Sequence, residues 1–322
     1  MKRLFVIVLF ISFALTIPSA FSARRQQSWN SWVQDVRVEA IQRGIRPSVF
    51  DNAFNGMTPS ARHLRLDRSQ PERRLTFLKY RNTRGDAYRI KLGRRAYKRH
   101  KKLLDEVGRT FGVSPCFIVS LWGLESSYGH YMGNFAVIRS LATLAYDTRR
   151  SAFFRRELFH ALRILNEGHI SLKDFKGEWA GATGQPQFLP SSWHNYAVDY
   201  NNDNVKDIWK NHGDIFASIA NYLAQHGWQT NQPWAIQVSL PRHFNKSLLS
   251  LKIEKTVKEW EQLGVKPITH RYIDPSTMVS VIRPLGGPNF MVFNNFKVIM
   301  KWNRSTYYAG TVGYVADKIC RV

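Results

Sequence analysis

The spacing of apolar residues changes once along the chain, near Trp234, and this change constrains the fold more than any other feature. Before it, apolar side chains recur at helical spacing, which predicts amphipathic helices over 31–43, 47–54, 90–111, 152–166 and 214–226. After it, apolar and polar residues alternate, which predicts strands over 235–240, 278–282 and 296–300, with a turn at 286–288. We therefore expect a mainly α fold of the α+β kind, with a small β portion near the C-terminus.

The composition supports a folded chain with a sizeable core. The 322 residues are 44% hydrophobic and 13% aromatic, which excludes a mainly disordered protein. The length allows one large domain or two smaller ones. Two cysteines are too few for a disulfide-stapled scaffold or a four-cysteine zinc site. Beyond the N-terminal region, no apolar run reaches the roughly 18 residues that a membrane helix needs.

The N-terminus is organised like a secretory signal. Lys2 and Arg3 precede a nearly unbroken apolar run over 4–17, and small residues follow, with Ser22 at the expected cleavage point. A membrane anchor is the alternative, and the short run disfavours it. No cysteine near the cleavage point offers a lipoprotein anchor. We expect residues 1–22 to be a signal peptide and residues 23–322 to form a periplasmic protein without a stable membrane anchor.

The chain is strongly basic, with 47 Lys and Arg against 23 Asp and Glu and a formal charge of +24. Such a surface attracts anionic partners, among them nucleic acid, anionic lipid and acidic cell-wall polymer. We do not expect nucleic acid, because the chain is predicted to be exported and carries no nucleic-acid-binding motif that we identify. For the basic stretch 91–102, a plain solvated helix face is an equally good interpretation.

One acid stands at the end of an apolar helix. Ser114 and Pro115 suit the N-cap and first position of a helix, and Glu125 shares a face with Leu121 and Trp122. Such an acid is either paired with a base at the edge of the core or functional. Burial among apolar residues raises a carboxyl pKa and keeps the group protonated near neutral pH, as a general acid requires. Glycoside cleavage is the reaction that most often uses such an acid.

A second segment, 181–192, combines small residues, two amides and an aromatic ring. Small residues let a ligand approach the backbone closely, and amides suit sugars that carry hydroxyl and acetamido groups. A plain loop is the alternative interpretation, and the segment alone does not decide between the two.

Short segments that occur in a fixed order carry a family resemblance. They are Trp122-Gly123-Leu124-Glu125-Ser126, Leu141-Ala142-Thr143-Leu144-Ala145-Tyr146-Asp147, Trp179-Ala180-Gly181-Ala182, Gln187-Phe188, Pro190-Ser191-Ser192, Tyr196-Ala197-Val198-Asp199, Ile219-Ala220-Asn221-Tyr222-Leu223, His226-Gly227-Trp228 and Asn303-Arg304-Ser305-Thr306-Tyr307-Tyr308-Ala309. Over residues 29–318 the chain thereby resembles the membrane-bound lytic transglycosylase B family of murein-cleaving enzymes. The order of the segments makes the resemblance far more specific than any one of them.

The resemblance implies a lysozyme-like helical core over 105–230, with extra N-terminal helices, strands over 234–300, and no separate peptidoglycan-binding module. The implied activity is non-hydrolytic cleavage of the β-1,4 bond between N-acetylmuramic acid and N-acetylglucosamine in peptidoglycan glycan strands, which leaves 1,6-anhydromuramyl ends. Glu125 matches the single glutamate that acts as general acid and base, and no catalytic cofactor is implied. The implied substrate-binding residues are Ser126, Gln187, Phe188, Tyr222, Trp302 and Asn303.

The sequence departs from the family pattern at several positions. Thr183 stands where relatives usually carry methionine, and Trp302 stands where a tyrosine is common. Glu178 occupies a place where serine is frequent near the catalytic acid. We expect Glu178 to point outward, since an inward carboxylate would raise the pKa of Glu125 by like-charge repulsion.

A structural calcium site is predicted at an acidic loop. Oxygen-bearing side chains at alternate positions resemble the start of an EF-hand loop, although the expected glycine and the final glutamate are replaced by Asn204 and Lys210. Relatives bind calcium in a similar loop that a later acid completes. The predicted ligands are Asp199, Asn201, Asp203 and Asp214. A turn without metal is an equally good interpretation, and no histidine spacing indicates a catalytic zinc site.

Two alternative functions stay open, together with the state of the cysteines. A hydrolytic muramidase on the same fold would need a second acid opposite Glu125, with Glu178 or Asp147 as candidates. A catalytically weak peptidoglycan-binding scaffold is the other alternative.

Cys116 and Cys320 are able to pair in an oxidising compartment. We favour a buried free thiol at Cys116, because a cysteine in an apolar helix is usually a buried free thiol.

Overall fold

The computed structural model describes residues 27–68, 75–147, 150–269 and 272–320, so the predicted signal peptide lies outside the described residues. Helices dominate these ranges, as predicted. In chain order they are α1 (Trp29–Gln42), α2 (Pro47–Phe54), α3 (Ala61–Arg68), α4 (Phe77–Arg84), α5 (Ala87–Arg99), α6 (Lys101–Phe111), α7 (Pro115–Ser126), α8 (Val137–Tyr146), α9 (Ser151–Asn166), α10 (Pro190–Tyr196), α11 (His212–Gln225), α12 (Val257–Gln262), α13 (Asn294–Trp302) and α14 (Thr306–Cys320).

Capping residues fix where several of these helices begin. The side chains of Ser28, Thr76, Asp86 and Asn211 each accept a hydrogen bond from a backbone N–H in the first turn of the helix that follows. Helices α2, α7 and α10 begin at a proline, which lacks the N–H that a first helical turn leaves unpaired.

Helix α7 is the centre of the helical core. Most of its side chains are buried, including Ile118, Leu121 and Trp122. It packs against α5, α6, α11 and α14, so apolar neighbours surround it on all sides. A helix that is apolar all round is typical of the interior of a large domain.

The strands form two sheets. Strands β1 (Phe135–Ala136) and β2 (Lys176–Gly177) make a short antiparallel pair beside the helical core. The larger sheet is antiparallel and has the order β4-β6-β7-β3-β5, built from β3 (Ala235–Ser239), β4 (Lys255–Thr256), β5 (Lys266–Pro267), β6 (Met278–Ile282) and β7 (Asn289–Val292). The turn predicted at 286–288 joins β6 and β7. A separate small apolar cluster around Trp260 and Val281 covers one face of this sheet.

Two sequence predictions about the elements are wrong. Residues 296–300 lie in helix α13 rather than in a strand, because the buried positions Asn295, Phe296, Val298 and Ile299 follow helical spacing. The predicted helix 90–111 is two helices that meet at His100, whose ring stacks on His212 with 4.4 Å between ring centroids. The break lets α6 turn so that it buries its own apolar face.

Cys116 and Cys320 form a disulfide, with 5.9 Å between their Cα atoms, so the preferred free thiol at Cys116 is wrong. The bond joins the start of α7 to the last residue of α14. The sequence pattern around Cys116 is apolar in either case, and only the fold brings residues separated by 204 positions into bonding distance.

Among the described residues, no single helix has the length and apolar character needed to cross a membrane. One bent pair, Lys101–Phe111 with Pro115–Ser126, meets these two criteria when its helices are taken together.

Candidate active site

Glu125 lies in the last turn of α7, where the chain leaves the core. The helix ends in a tight turn in which Ser127 and Tyr128 both have positive φ. The Tyr128 ring folds back onto Gly123, where a Cβ atom would lie 2.4 Å from the Tyr128 Cζ. Glycine therefore stands one turn before the end of the helix because only a residue without a side chain admits this ring.

Two side chains from the C-terminal helices bind the same oxygen of Glu125. The indole Nε1 of Trp302, at the end of α13, donates to Oε1 at 2.9 Å. The hydroxyl of Tyr308, in the first turn of α14, donates to Oε1 as well. No side chain or backbone group among the described residues donates a hydrogen bond to Oε2 of this carboxyl group. One oxygen is thus fixed by the protein, and the other is left for a proton or a ligand.

The pKa of Glu125 is raised from its usual range to about 7. Burial is the largest cause, because removal from water disfavours the carboxylate. The hydrogen bonds from Tyr308 and Trp302 and the positive charge of Arg84 act in the opposite direction. Near neutral pH the group therefore exchanges its proton readily, which suits a residue that first gives and then takes a proton.

An aromatic cluster connects Glu125 to three of the residues that the resemblance singled out. The Trp302 ring lies 5.3 Å from the ring of Phe188 and 4.7 Å from the ring of Tyr222, measured between centroids. Phe188 and Tyr222 are themselves 5.8 Å apart. The Tyr222 hydroxyl donates to the Lys301 carbonyl at 2.8 Å, which holds the end of α13 in place.

Gln187 and Asn303 present polar groups near this cluster. Gln187 has a φ of 53°, a conformation that costs energy for a residue other than glycine and that is frequent at functional sites. Its Nε2 donates to the carbonyls of Gly184 at 2.9 Å and Met132 at 3.1 Å, whereas its Oε1 accepts no hydrogen bond from a described residue. Asn303 is exposed directly after Trp302.

Ser126 has a different position from the one that the resemblance implied. Its side chain is 1% exposed. The hydroxyl donates to the Trp122 carbonyl at 3.1 Å and accepts from the Gly129 N–H at 3.1 Å. With both functions of the hydroxyl used inside the turn, Ser126 shapes the loop after α7 and is not available for contact with a ligand.

The segment 181–192 is anchored to the core and is not a plain loop. Buried Gln185 accepts a hydrogen bond from the Trp122 indole at 2.6 Å, and its Nε2 donates to the Trp209 carbonyl at 2.8 Å. The hydroxyl of Thr183 donates to the Lys176 carbonyl at 2.7 Å. Glu178 is half-buried, and its backbone N–H donates to the Ala182 carbonyl at 2.8 Å.

Sequence reasoning missed Tyr308 as a site residue, although it lies within a segment that carries the resemblance. A signal was present: Ser305 precedes a row of residues at helical spacing, namely Tyr308, Val312, Val315 and Ile319. This pattern indicates a helix with Tyr308 on its buried face. What the pattern does not give is the partner of the hydroxyl, because Glu125 is 183 residues away in sequence.

The predicted calcium ligands lie together but bind backbone groups of their own loop. Asp199 accepts from the N–H groups of Asp203 and Asn204, and buried Asp214 accepts from those of Tyr200 and Asp207. The pKa of Asp214 is raised, first by burial and then by the nearby charges of Asp199 and Asp203. Among the described residues, no group of three or more His, Cys, Asp or Glu side chains is arranged to hold a metal ion.

The family described as Transglycosylase SLT domain matches residues 28–317. The chain belongs to this family. The crystal structure of SltB3 from Pseudomonas aeruginosa in complex with NAG-anhNAM-pentapeptide is similar to this transglycosylase-domain chain, with a TM-score of 0.88 and 40% identity over 91% of this chain and 80% of that one. The predicted lysozyme-like helical fold is thereby confirmed.

Two matches from Escherichia coli, one of sequence and one of structure, extend the comparison. The membrane-bound lytic murein transglycosylase B of strain K12 is 28% identical over 232 residues, which are 69% of this chain and 62% of that protein. The chain therefore spans less than two thirds of the length of this relative. The structure of the lytic transglycosylase Slt35 in complex with calcium has a TM-score of 0.78 and 25% identity, covering 89% of this chain and 92% of that one.

Proposed function

We propose that the protein is a lytic murein transglycosylase with Glu125 as its single general acid and base. It cleaves the β-1,4 bond between N-acetylmuramic acid and N-acetylglucosamine in peptidoglycan and leaves 1,6-anhydromuramyl ends. The observation that supports this proposal most strongly is the carboxyl group of Glu125, which is half-buried, has its pKa raised to about 7 and accepts two hydrogen bonds on one oxygen. The family and the relatives that act on murein support the proposal.

The two oxygens of the Glu125 carboxyl group have different roles in the proposed reaction: Oε1 is held by hydrogen bonds, and Oε2 gives a proton and later takes one back. Protonated Oε2 gives its proton to the glycosidic oxygen as the bond from that oxygen to the muramyl anomeric carbon breaks. The carboxylate formed is stabilised by Tyr308 and Trp302 at Oε1. The 6-hydroxyl of the same muramyl residue then attacks the anomeric carbon, and its proton returns to Oε2. No water is consumed, and Glu125 ends in its starting state.

The residues around Glu125 suit an aminosugar polymer. The aromatic faces of Phe188, Tyr222 and Trp302 provide packing surface for sugar rings. The free Oε1 of Gln187 and the exposed amide of Asn303 are suited to hydroxyl and acetamido groups. We propose that these five residues line the glycan groove, with peptidoglycan strands as the partner.

A hydrolytic muramidase is less well supported. Hydrolysis with two carboxylates needs a second acid placed to activate water or to attack the sugar. The two candidates, Glu178 and Asp147, are not among the groups that shift the pKa of Glu125. A binding-only scaffold is disfavoured for another reason: a buried acid with a strongly perturbed pKa is costly to keep without a catalytic use.

Glu125→Gln tests the proposal, with Glu178→Gln as the matched control. Both variants exchange one carboxyl group for an amide. Release of soluble fragments from purified murein should fall at least about a hundredfold for Glu125→Gln, the usual scale of general acid–base catalysis. It should stay close to wild type for Glu178→Gln. Equal loss in both variants, or activity that survives in Glu125→Gln, would exclude Glu125 as the single acid.

We also propose export and a structural calcium ion. Residues 1–22 have the composition of a cleaved signal, so the mature chain should begin at Ala23 in a periplasmic fraction; a full-length N-terminus in the cytoplasm would contradict this.

Calcium would be held by the oxygens of Asp199, Asn201, Asp203 and Asp214, which are the hard ligands that it prefers. Calcium should then raise the melting temperature of the wild type and not that of Asp203→Ala; an equal response from both would exclude the site.

A further inference from the structure

One face of α5 carries a dense group of cations, which we call the basic face. It consists of Lys91, Arg94, Arg95 and Lys98, at the spacing of one helix face, together with Lys318 of α14. These five residues surround a pocket of about 400 Å³ whose floor is formed by the side chains of Ala87, Ile90 and Tyr314. No acidic side chain of the described residues lines it.

The basic face is unfavourable for the protein on its own. Lys91 and Arg95 are four residues apart, as are Arg94 and Lys98, and like charges at this spacing destabilise a helix. Lys91, Arg95 and Lys98 are exposed and make no ion pair or side-chain hydrogen bond within the described part of the chain. An anionic ligand from outside would compensate for this repulsion.

The basic face is held rigidly. On the opposite side of α5, Gly93 packs so closely that a Cβ atom there would lie 2.6 Å from the Tyr128 hydroxyl and 2.7 Å from the Cδ1 of Ile319. Arg94 Nε donates to the Lys318 carbonyl at 2.9 Å, which fixes α5 against α14. A ligand therefore meets cations whose backbone positions are already set.

The basic face adjoins a second, larger cavity of about 1020 Å³, and Tyr314 and Lys318 line both. This cavity lies between the helical core and the sheet. Its wall combines aromatic rings with basic, acidic and amide groups, among them Phe77, Phe117, Trp228, Trp234, Phe290, Arg109, Asp105, Asp317, Gln232 and Gln237. Such a lining is typical of sites for sugars and peptides rather than of a flat contact surface.

The cavity is separate from the proposed glycan groove. Glu125 and the five proposed groove residues do not line it. Pro115, at the start of α7, does line it, and Glu125 follows ten residues later, about 15 Å along the helix. The two sites thus lie at opposite ends of the same helix.

We propose that the basic face and the adjoining cavity form a second murein-binding site, which holds the stem peptide of a glycan strand. The carboxylates of the peptide would bind the exposed cations, and the body of the fragment would pack against the aromatic wall. An anionic lipid surface would use the cations but would leave the adjoining cavity without a function. The inference rests on the proposed action on murein and adds a site that holds the cell wall independently of cleavage.

The test compares a peptide-bearing with a peptide-free fragment. The full mature chain carries Glu125→Gln so that nothing is cleaved, and calorimetry measures the affinities for NAG-NAM-pentapeptide and for NAG-NAM without peptide. The triple variant K91Q/R95Q/K98Q neutralises the basic face. The matched control K246Q/K252Q/K258Q removes the same charge from exposed lysines of the β portion.

The preference for the peptide-bearing fragment should fall about tenfold in the basic-face variant and remain in the control, as expected when three exposed charge contacts are lost together. Tyr314→Leu should lower the preference in the same direction, because Tyr314 lines both cavities. The proposal would be overturned if the preference for the peptide-bearing fragment were the same in the basic-face variant and in the control variant. Loss of binding to phosphatidylglycerol vesicles with an unchanged preference for the peptide would also overturn it, since the partner would then be lipid.

This binding readout does not depend on catalysis. If the wild-type protein releases no anhydro fragments while the Glu125→Gln chain still prefers the peptide-bearing fragment, the proposed function fails and the second site stands. If cleavage is observed without any preference for the peptide, only the second site fails.

Discussion

Tyr308→Phe should move the pH dependence of cleavage upward. The substitution removes the hydroxyl that donates to Oε1 of Glu125 and leaves the ring in place. This hydrogen bond lowers the pKa of Glu125 against the effect of burial. A hydrogen bond to a charged group contributes about 1.5–3 kcal/mol. At about 1.4 kcal/mol per pKa unit, its loss should raise the pKa from about 7 by about one to two units.

The general acid must be protonated when the reaction starts, so kcat/KM should decline as the pH rises through the pKa of Glu125. We expect this decline near pH 7 for the wild type and at least about one unit higher for Tyr308→Phe. Tyr307→Phe is the matched control, because the neighbouring hydroxyl donates to the Leu285 carbonyl and not to Glu125. The assay is the initial rate of anhydromuropeptide release between pH 5 and pH 10. A decline that stays at the same pH, or moves downward, would refute the assignment of Tyr308.

Three further predictions concern stability. Glu125→Gln should be more stable than the wild type by about 3 kcal/mol above pH 7, and the difference should nearly vanish below pH 4.5. The reason is that Glu125 keeps its proton up to about pH 7 in the folded protein but releases it near pH 4.5 in the unfolded chain. Urea unfolding of both proteins above pH 7 and below pH 4.5 measures the difference. Replacing Cys116 and Cys320 by serine should lower stability by up to about 5 kcal/mol on chain-entropy grounds, and an unchanged melting temperature would contradict the bond. Gly123→Ala should cost about 1–3 kcal/mol, because the new Cβ would overlap Tyr128; a more stable variant would show that the ring moves freely.

The helical part of the fold was largely accessible from the sequence. Helix α2 has the predicted bounds, and α1, α9 and α11 differ from their own predicted bounds by at most two residues at either end. The apolar spacing decided these cases because the apolar residues of each helix recur at helical spacing. Residues 296–300 failed because five residues with mixed apolar and polar character fit either period, and only the burial of Asn295 and Phe296 separates the two.

The candidate site was accessible only in part, for a reason of distance along the chain. Glu125 could be singled out because its helix is apolar and ends at the acid. Its pairing with Trp302 and Tyr308 depends on contacts across 177 and 183 residues, which local patterns do not encode. Burial also decides what a side chain is free to do: Ser126 stands next to the acid in sequence, yet its hydroxyl is used up inside the turn.

The most direct test of the central claim is the mass of the cleavage products formed in water enriched in heavy oxygen. In the proposed reaction the muramyl 6-hydroxyl, and not water, attacks the anomeric carbon. Every new muramyl end should therefore be a 1,6-anhydro ring, lighter by one water than a hydrolytic product and free of the heavy isotope. Reducing muramyl ends that carry the isotope would contradict the account and would require a second group that activates water opposite Glu125.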